Sequence, residues 1–416
     1  MNYFIKNIHI NHLLHLQNFD IKIEDKNTPH LIITGKNGSG KTILLNAIAS
    51  FLERIKDDTR MEFLNYKVYL DNYTKRLDEE LRRESDENIL GPIKRSIEHY
   101  RKRVDGVYGK VELDFVDAPA LMIEKYQKGE FIIAFYQAAR KPEMIEPKNP
   151  TKPTYKIKGA VKQTATNQFL NFLSDLKIQE ALARNENEIK DADEINSWFI
   201  EFANLLKQIY QDDSLKLVFN YRDYSFRINT EEKNFKFTEL SDGFAAILDI
   251  VADLILKMQV PGNVTRAYKK AGVVLIDEVE THLHLELQKI VMPILTKIFP
   301  NIQFIITTHS PFVLNSLDNA VAFDLENREV INELTQYSYE ALAEGYFGVS
   351  SMSSYMQMQL DKLEDILKKD VLSDLDKSEL KYLITDLEKV PESVSPNLVG
   401  AFTDIKNRFL IIPSRR

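Results

Sequence analysis

The sequence predicts an α/β fold whose core is a parallel sheet with helices on both faces. Two observations lead to this class. The short apolar segments Val273–Ile276 and Ile302–Thr307 have the length of fully buried strands, and each is preceded by a segment of helical periodicity. Nearer the N-terminus, the apolar run Leu31–Ile33 leads through a glycine-rich turn into another helical pattern at Ile43–Ile55. Strands and helices that alternate in this way are typical of a parallel sheet.

The composition restricts the class of protein further. The chain has 416 residues, of which 44% are hydrophobic, a formal net charge of -8 and no cysteine. Disulfides, thiolate metal sites and cysteine nucleophiles are therefore excluded. The sequence has no apolar run approaching the roughly 20 residues of a membrane span and no signal-peptide layout at its start, so we expect a cytoplasmic protein without a membrane partner.

Periodicity divides the remainder of the chain into strands, helical insertions and a helical tail. We expect an ATPase-sized domain at 1–330, interrupted by helical insertions at about 57–108 and 163–212, and a helical C-terminal region at 331–416 that contacts other copies or partners. The first insertion is expected to break near Gly91-Pro92. Further strands are predicted at Tyr3–Ile10, Phe19–Ile23, Lys110–Val116, Leu121–Tyr126, Phe131–Tyr136, Leu215–Asn220, Ser225–Ile228 and Phe235–Phe237.

The glycine-rich turn after Leu31–Ile33 fits the pattern G-x-x-x-x-G-K-[ST] at every fixed position. Its glycines let the backbone wrap a phosphate chain with successive N–H groups pointing inward, and the following helix adds its positive end. The lysine supplies a charge for the β- and γ-phosphates, and the threonine hydroxyl is a hard oxygen ligand for Mg²⁺. The predicted nucleotide-binding residues are Gly35, Lys36, Asn37, Gly38, Ser39, Gly40, Lys41 and Thr42.

Two carboxylates follow the buried strand Val273–Ile276. Asp277 and Glu278 stand at its carboxyl end, which is where α/β sheets place their ligands. We expect Asp277 to hold the Mg²⁺ shell and Glu278 to polarise the attacking water. His309 ends the next apolar strand, so it is expected at the same edge, near the γ-phosphate, as a switch or sensor. The alternative for His309 is a structural histidine.

The segment Leu240–Phe244 immediately precedes a helical pattern. Ser241 can cap that helix, and the helix start can bind an anion. Taken alone, this segment favours a simple N-cap.

GKNGSGKT, LSDGF, VVLIDE and TTHSP, in this order, resemble the Walker A, signature, Walker B and histidine-switch elements of ABC-type ATPases. The motif sequences are most similar to those of the soluble branch that includes RecF, the SMC proteins, the OLD-family nucleases and anti-phage defence ATPases. Glu280-Thr281-His282-Leu283-His284 resembles the E-x-x-L-H segment of that branch, whereas a transporter subunit carries a different signature and D-loop. The resemblance covers roughly residues 1–327 and implies an ABC-type ATPase head with a mixed β lobe.

The resemblance also implies ATP and Mg²⁺ as ligands and a site shared between subunits. Ser241 and the amides near Gly243 would contact the nucleotide of a second copy, which makes the active unit a homodimer or a larger assembly. Gln137 is the candidate for a Mg²⁺-sensing glutamine, with Arg140 as the alternative. His282 and His284 lie two residues apart, on different faces of the coming helix, so no transition-metal site is expected.

The leading hypothesis for the biological role is a slow, gated ATPase subunit of a bacterial anti-phage defence complex. It resembles the ATPases of Septu, retron-associated or PARIS-type systems, which control a separate effector such as a nuclease or toxin. The tail lacks the spaced acidic residues of an OLD-type nuclease domain, so any nuclease is expected on another polypeptide.

The alternative is a RecF- or SMC-like DNA-repair ATPase. Basic residues at 94–103 and 148–162 are either a solvated face or a nucleic-acid contact.

Overall fold

The computed structural model describes most of the chain as two compact units. The first unit spans Met1–Tyr337 and the second Ser338–Arg416. The described residues are 4–23, 30–57, 61–140, 144–151, 166–259, 270–331, 339, 341–342, 354–369, 371–390 and 396–410. Among the helices in these ranges, none has the length and apolar character needed to cross a membrane.

The strands of the first unit form three sheets. A six-stranded sheet has the order β12-β11-β3-β10-β9-β5, and two three-stranded sheets have the orders β2-β1-β4 and β6-β7-β8. The strands are β1 (Ile5–Leu13), β2 (Leu16–Lys22), β3 (His30–Thr34), β4 (Val111–Phe115), β5 (Phe131–Tyr136), β6 (Lys216–Asn220), β7 (Ser225–Asn229), β8 (Asn234–Lys236), β9 (Ala271–Ile276), β10 (Ile302–Thr307), β11 (Ala320–Asp324) and β12 (Glu329–Ile331).

Helices connect these strands and also form the second unit. In the first unit they are α1 (Lys41–Asp57), α2 (Tyr66–Arg82), α3 (Glu87–Tyr108), α4 (Pro119–Gln127), α5 (Phe169–Asn185), α6 (Ile189–Tyr210), α7 (Asp242–Met258), α8 (Leu285–Ile298) and α9 (Pro311–Leu314). In the second unit they are α10 (Ser354–Leu367), α11 (Asp374–Leu387) and α12 (Pro396–Leu410).

The six-stranded sheet confirms the predicted parallel core. β5, β9, β10, β3 and β11 run parallel, and only the edge strand β12 is antiparallel to its neighbour. β3, β5 and β10 are buried along their whole length, as expected for strands covered on both faces. Since the strands are in register, their carboxyl ends meet at one edge of the sheet. This edge is called the catalytic edge below.

The antiparallel sheet β2-β1-β4 and the parallel sheet share one core around α1. Alternate residues of β1 and β4 are buried, and they pack with apolar side chains of α1 such as Leu44, Leu45, Ile48 and Leu52. The glycine-rich turn lies between β3 and α1, so this core holds both ends of the turn. The mixed β lobe expected for an ABC-type head is therefore present.

The second insertion forms a helix pair with an aromatic core. α5 contributes Phe169 and Phe172, and α6 contributes Trp198 and Phe202, whose ring stacks on Trp198 at 5.3 Å between centroids. The small sheet β6-β7-β8 follows directly and packs against the pair through Phe199 and Phe226. The buried apolar residues of both helices follow helical spacing, as a helical insertion requires.

Two elements differ from the sequence prediction. The segment Leu121–Tyr126 was expected to be a strand, but it lies in α4. Pro119 starts that helix, and its buried residues Met122, Ile123 and Tyr126 follow helical rather than alternating spacing. The expected break near Gly91-Pro92 is also wrong, because α3 runs through it. The carbonyl of Asn88, which loses its N–H partner to Pro92, belongs to an exposed residue that water can reach.

The second unit has an apolar core of its own. Its three helices bury Leu360, Leu363, Leu383, Leu398 and Phe402 against one another. Ser373 caps α11 through a reciprocal hydrogen-bond pair with Asp376. The predicted helical C-terminal region is therefore found. The segment Tyr339–Val349 lies largely outside the described residues.

Candidate functional site

The glycine-rich turn adopts a conformation that only glycine accepts easily. Gly35, Gly38 and Gly40 have φ values of 135°, 86° and 100°. At Gly40 a Cβ atom would lie 2.9 Å from the Leu16 side chain, so space also requires glycine there. Lys36, Asn37 and Gly38 are exposed at the tip of the turn, and Ser39 is half-buried. The turn therefore presents its backbone outward between β3 and the start of α1.

The Lys41 side chain folds back over this turn. Its Nζ donates hydrogen bonds to the carbonyl oxygens of Gly35 at 2.7 Å and Lys36 at 3.0 Å. Burial lowers the pKa of Lys41, and the nearby carboxylates of Glu278 and Glu280 oppose this shift. The ammonium group is thus held inside the turn, where a phosphate chain would be wrapped.

Asp277 joins three elements at the catalytic edge. Its Oδ1 accepts hydrogen bonds from the hydroxyls of Thr307, at 2.7 Å, and Thr42, at 3.2 Å. Thr42 belongs to the first turn of α1 and Thr307 ends β10. Two hard oxygen groups, the Thr42 hydroxyl and the Asp277 carboxylate, therefore lie side by side.

Glu278 follows Asp277 in a strained backbone conformation. Its φ of 44° lies in the left-handed region, which a residue with a side chain enters at a cost of order 1–2 kcal/mol. The backbone N–H of Glu278 donates to the Thr307 hydroxyl at 2.8 Å, and Thr281 donates its hydroxyl to Glu278 Oε2 at 3.4 Å. These bonds hold the side chain of Glu278 at the end of β9.

Glu280 connects the segment after β9 to the end of β10. Its half-buried carboxylate accepts the backbone N–H of His309 at 2.5 Å and the Thr308 hydroxyl at 2.9 Å. Burial raises the pKa of Glu280, while the His309 N–H and the Thr308 hydroxyl lower it. Burial and the charge of Lys41 lower the pKa of His309, so its imidazole is neutral at neutral pH. His309 is half-buried at the same edge as Lys41 and Glu278.

The signature segment lies apart from the turn. Ser241 is exposed at the N-cap of α7, but its hydroxyl makes no capping hydrogen bond, which contradicts the capping expected from sequence. It lines a cleft together with Tyr210, Glu239 and Phe244, to which no residue of the glycine-rich turn contributes. Gly243 is buried, and a Cβ there would lie 3.1 Å from the His282 carbonyl oxygen. Within one chain, the structure does not bring Ser241 to Lys41.

Gln137 and Arg140 follow β5 at the catalytic edge. Tyr136, the last residue of that strand, accepts the Asp277 N–H at 2.8 Å, so Gln137 begins beside Asp277. Gln137 is exposed. Arg140, by contrast, is buried.

Several supporting residues were not predicted from the sequence. Asp324 ends β11, directly behind Gly35, and accepts the Glu326 N–H at 2.8 Å. Glu326 in turn pairs with the Lys36 ammonium at 3.0 Å. The His15 ring contacts the Ser39 carbonyl oxygen at 3.0 Å. Asp324 could have been predicted as a site residue, because it follows the apolar run Ala320–Phe323 as Asp277 follows its strand. No sequence pattern marks His15 as a site residue.

Known proteins resemble this chain in sequence. Residues 143–315 match the protein family described as "AAA domain, putative AbiEii toxin, Type IV TA system". The chain is 27% identical over 403 residues to the Septu protein PtuA of Bacillus mycoides (strain KBAB4), a match that covers 93% of this chain and 50% of PtuA. It is 40% identical over 90 residues to the Retron Ec83 probable ATPase of Escherichia coli, covering 21% of this chain and 17% of that protein. A third relative, the Retron Vc95 probable ATPase of Vibrio cholerae serotype O1 biovar El Tor, is 34% identical over 105 residues, covering 25% and 19%.

The chain is therefore similar to a Septu protein over most of its length, and to two retron probable ATPases over shorter segments. The glycine-rich turn has the P-loop sequence pattern and is called the P-loop below. The carboxylates of Asp277 and Glu278 follow β9. The match to PtuA spans half of that relative's length. In the part of the chain that the structure describes, no group of three or more histidine and acidic side chains is arranged to hold a metal ion by itself.

Proposed function

We propose that this protein binds ATP at the P-loop and hydrolyses it. The observation that carries this proposal is the convergence of Lys41, Thr42, Asp277, Glu278 and His309 at one edge of the parallel sheet. In the proposed complex, Gly35–Thr42 wraps the phosphates with its backbone N–H groups, and Lys41 contacts the β- and γ-phosphates. The positive end of α1 adds to this field.

The residues beside the P-loop fit Mg²⁺. The Thr42 hydroxyl and the Asp277 carboxylate, already in hydrogen-bond contact, are the hard oxygen donors that this ion prefers. A bound Mg²⁺ would neutralise charge that develops on the phosphates. Gln137 would sense the bound Mg²⁺ from its position beside Asp277.

Glu278 is proposed to accept the proton of the attacking water. Its left-handed backbone supports this assignment, because strain of this kind is kept where the surrounding structure fixes a functional side chain. His309 is proposed as the sensor of the γ-phosphate. Its neutral imidazole can donate one hydrogen bond to a phosphate oxygen, and Glu280 fixes the backbone that carries it.

The second half of each site is proposed to come from another copy of the chain. The Ser241 hydroxyl is exposed and makes no capping bond, and the N-terminus of α7 behind it favours an anion. Ser241 and the amides near Gly243 would then close over the nucleotide of the second copy. The active unit is therefore a homodimer or a larger assembly with shared sites.

We further infer that this ATPase acts in the cytoplasm as a subunit of a bacterial anti-phage defence complex. The likeness to Septu PtuA and to the retron ATPases supports this role. Slow, gated hydrolysis would control the assembly that holds or releases a separate nuclease or toxin. A role in DNA repair is less well supported. Lys94 and Lys102, two of the basic residues that could contact nucleic acid, form ion pairs with Glu87 and Glu98 on α3.

Phosphate release by the purified full chain tests the enzymatic proposal. We expect turnover with MgATP, none after chelation of Mg²⁺, and none in Lys41→Ala. Equal release by wild type and Lys41→Ala would overturn it. Purification from native cells tests the biological role. A stoichiometric nuclease or toxin supports defence, whereas salt-sensitive, ATP-dependent DNA binding by the pure chain with no protein partner supports repair.

A further inference from the structure

Arg140 is a buried cation that lacks hydrogen-bond partners. The residue is 7% exposed, and its Nε, Nη1 and Nη2 atoms make no hydrogen bond to any residue that the structure describes. Buried guanidinium groups in folded proteins normally have their donors satisfied, because the cost of desolvating an unpaired charge is high. The position therefore calls for an explanation.

Carboxylates from two different elements surround this cation. Burial lowers the pKa of Arg140, and the charges that oppose this shift are, in decreasing order, those of Asp249 and Glu280, followed by Tyr136 and Asp277. Asp249 lies on α7, whose N-terminus carries the signature residue Ser241. Glu280 lies at the catalytic edge. The guanidinium is thus within the electrostatic field of both the signature helix and the catalytic edge.

Both carboxylates can accept further hydrogen bonds. Asp249 Oδ1 accepts the Thr166 hydroxyl at 2.5 Å, and each Glu280 oxygen accepts one hydrogen bond, from Thr308 or from the backbone of His309. An ionised carboxylate offers about four acceptor sites, so each has capacity left. A guanidinium has five N–H donors in a planar fork, which suits it to bridge two carboxylates.

Nucleotide changes the electrostatic balance at this position. MgATP carries net negative charge to the edge where Lys41 and Glu278 lie, and an unanchored cation is drawn towards that charge. Glu280 is close enough to Lys41 to oppose the lowering of its pKa, and it fixes the backbone of His309. A hydrogen bond from Arg140 to Glu280 would therefore fix the position of His309. A hydrogen bond to Asp249 would fix the position of α7, the helix that follows Ser241.

We propose that Arg140 is a positioning residue that bridges Asp249 and Glu280 when the site holds MgATP, and so couples the signature helix to the catalytic edge. The inference rests on the proposed ATPase function. It gives Arg140 a role different from the Mg²⁺-sensing one for which the sequence made it an alternative to Gln137.

Replacement of Arg140 by glutamine tests the bridge. In Arg140→Gln we expect the affinity for MgATP to stay within about threefold of wild type, because Lys41 still binds the phosphates, and kcat to fall by about tenfold or more. Arg140→Lys keeps the charge without the fork and should restore only part of kcat. Arg222→Gln, at an exposed arginine of the same unit, is the matched control and should keep wild-type values.

A second readout separates coupling from mere stability. Addition of a non-hydrolysable ATP analogue should slow hydrogen exchange in the first turns of α7 in wild type and in Arg222→Gln, but not in Arg140→Gln. Asp249→Asn should add little to the kcat loss of Arg140→Gln, since both changes break the same bridge. If Arg140→Gln only unfolds at a lower temperature, with wild-type kcat and wild-type protection of α7, the bridge does not exist. If the wild type itself hydrolyses no ATP, the proposed function fails first.

Discussion

A single carboxylate oxygen, Asp277 Oδ1, holds together the P-loop helix and the end of β10. It accepts the Thr42 and Thr307 hydroxyls, and Thr307 in turn accepts the backbone N–H of Glu278. The two acidic residues after β9 are thus held by Thr307, the first residue of the TTHSP segment, whose contacts that motif does not predict. Protein groups alone make these bonds, so the fold itself orients the two acidic residues.

Glu278 is the residue at which binding and hydrolysis should separate. Glu278→Gln keeps the size of the side chain but removes its ability to take a proton from water. We expect normal MgATP affinity, at least a hundredfold slower phosphate release, and accumulation of the ATP-bound assembly. Stopped assays of phosphate release, with size-exclusion chromatography in ATP, measure both effects. Wild-type turnover in this variant would show that another group accepts the proton.

His30 makes the stability of the fold depend on pH. Its buried Nδ1 accepts the Phe304 N–H at 3.1 Å, and burial lowers its pKa to about 4. The unfolded chain takes up a proton near pH 6.5, so the folded state is fully favoured above that pH and loses stability as the pH falls towards 4. The loss should reach roughly 3 kcal/mol.

Denaturant unfolding at a series of pH values checks this dependence. His30→Asn retains an acceptor for Phe304 but cannot be protonated, so its stability should change less between pH 6.5 and 4. His99→Asn, at an exposed histidine on α3, should keep the wild-type dependence. A wild-type slope in His30→Asn would contradict the assignment.

At the scale of elements, the sequence predicted what local pattern determines and missed what tertiary contacts determine. β3, β9 and β10 were predictable because they are unbroken apolar runs. α4 was not, because Leu121–Tyr126 is apolar enough for a strand, and only its burial at helical spacing identifies the helix. β11 and β12 went unpredicted although β11 pairs with β3 and brings Asp324 behind the P-loop. In the candidate site, motif residues were predictable, but His15 and Thr307 act through contacts between distant segments.

The start of α7 should tolerate no side chain at Gly243. A Cβ there would lie 3.1 Å from the His282 carbonyl and 3.2 Å from Leu287 Cδ1, and the backbone carbonyl has little freedom to yield. Gly243→Ala should therefore lower the free energy of unfolding by about 1 kcal/mol. Gly106→Ala, on α3 with its nearest neighbour at 3.7 Å, should instead raise it by about 0.5–1 kcal/mol. Urea denaturation measures both; a stabilised Gly243→Ala would mean that α7 and α8 separate easily.

At the scale of the whole molecule, the shared-site proposal makes a prediction about mixtures. Ser241→Arg and Lys41→Ala should each be inactive alone. A mixed dimer would contain one site with an intact P-loop and an intact signature, so an equimolar mixture should recover about a quarter of wild-type turnover. Phosphate release after mixing measures this recovery. Ser241→Ala in place of Ser241→Arg controls for the bulk of the arginine, and an inactive mixture would indicate sites completed within one chain.

The inward fold of Lys41 has a consequence for which molecules can enter. The carbonyl groups of Gly35 and Lys36 accept hydrogen bonds from the ammonium, so they compete for it with every incoming anion. A ligand gains from Lys41 only the difference between its own bonds and those it displaces. Nucleoside monophosphates, which cannot span from the loop amides to this ammonium, would not displace it. Nucleotides with two or three phosphates would, so we expect the P-loop to favour them over monophosphates before any contact with the base or sugar is made.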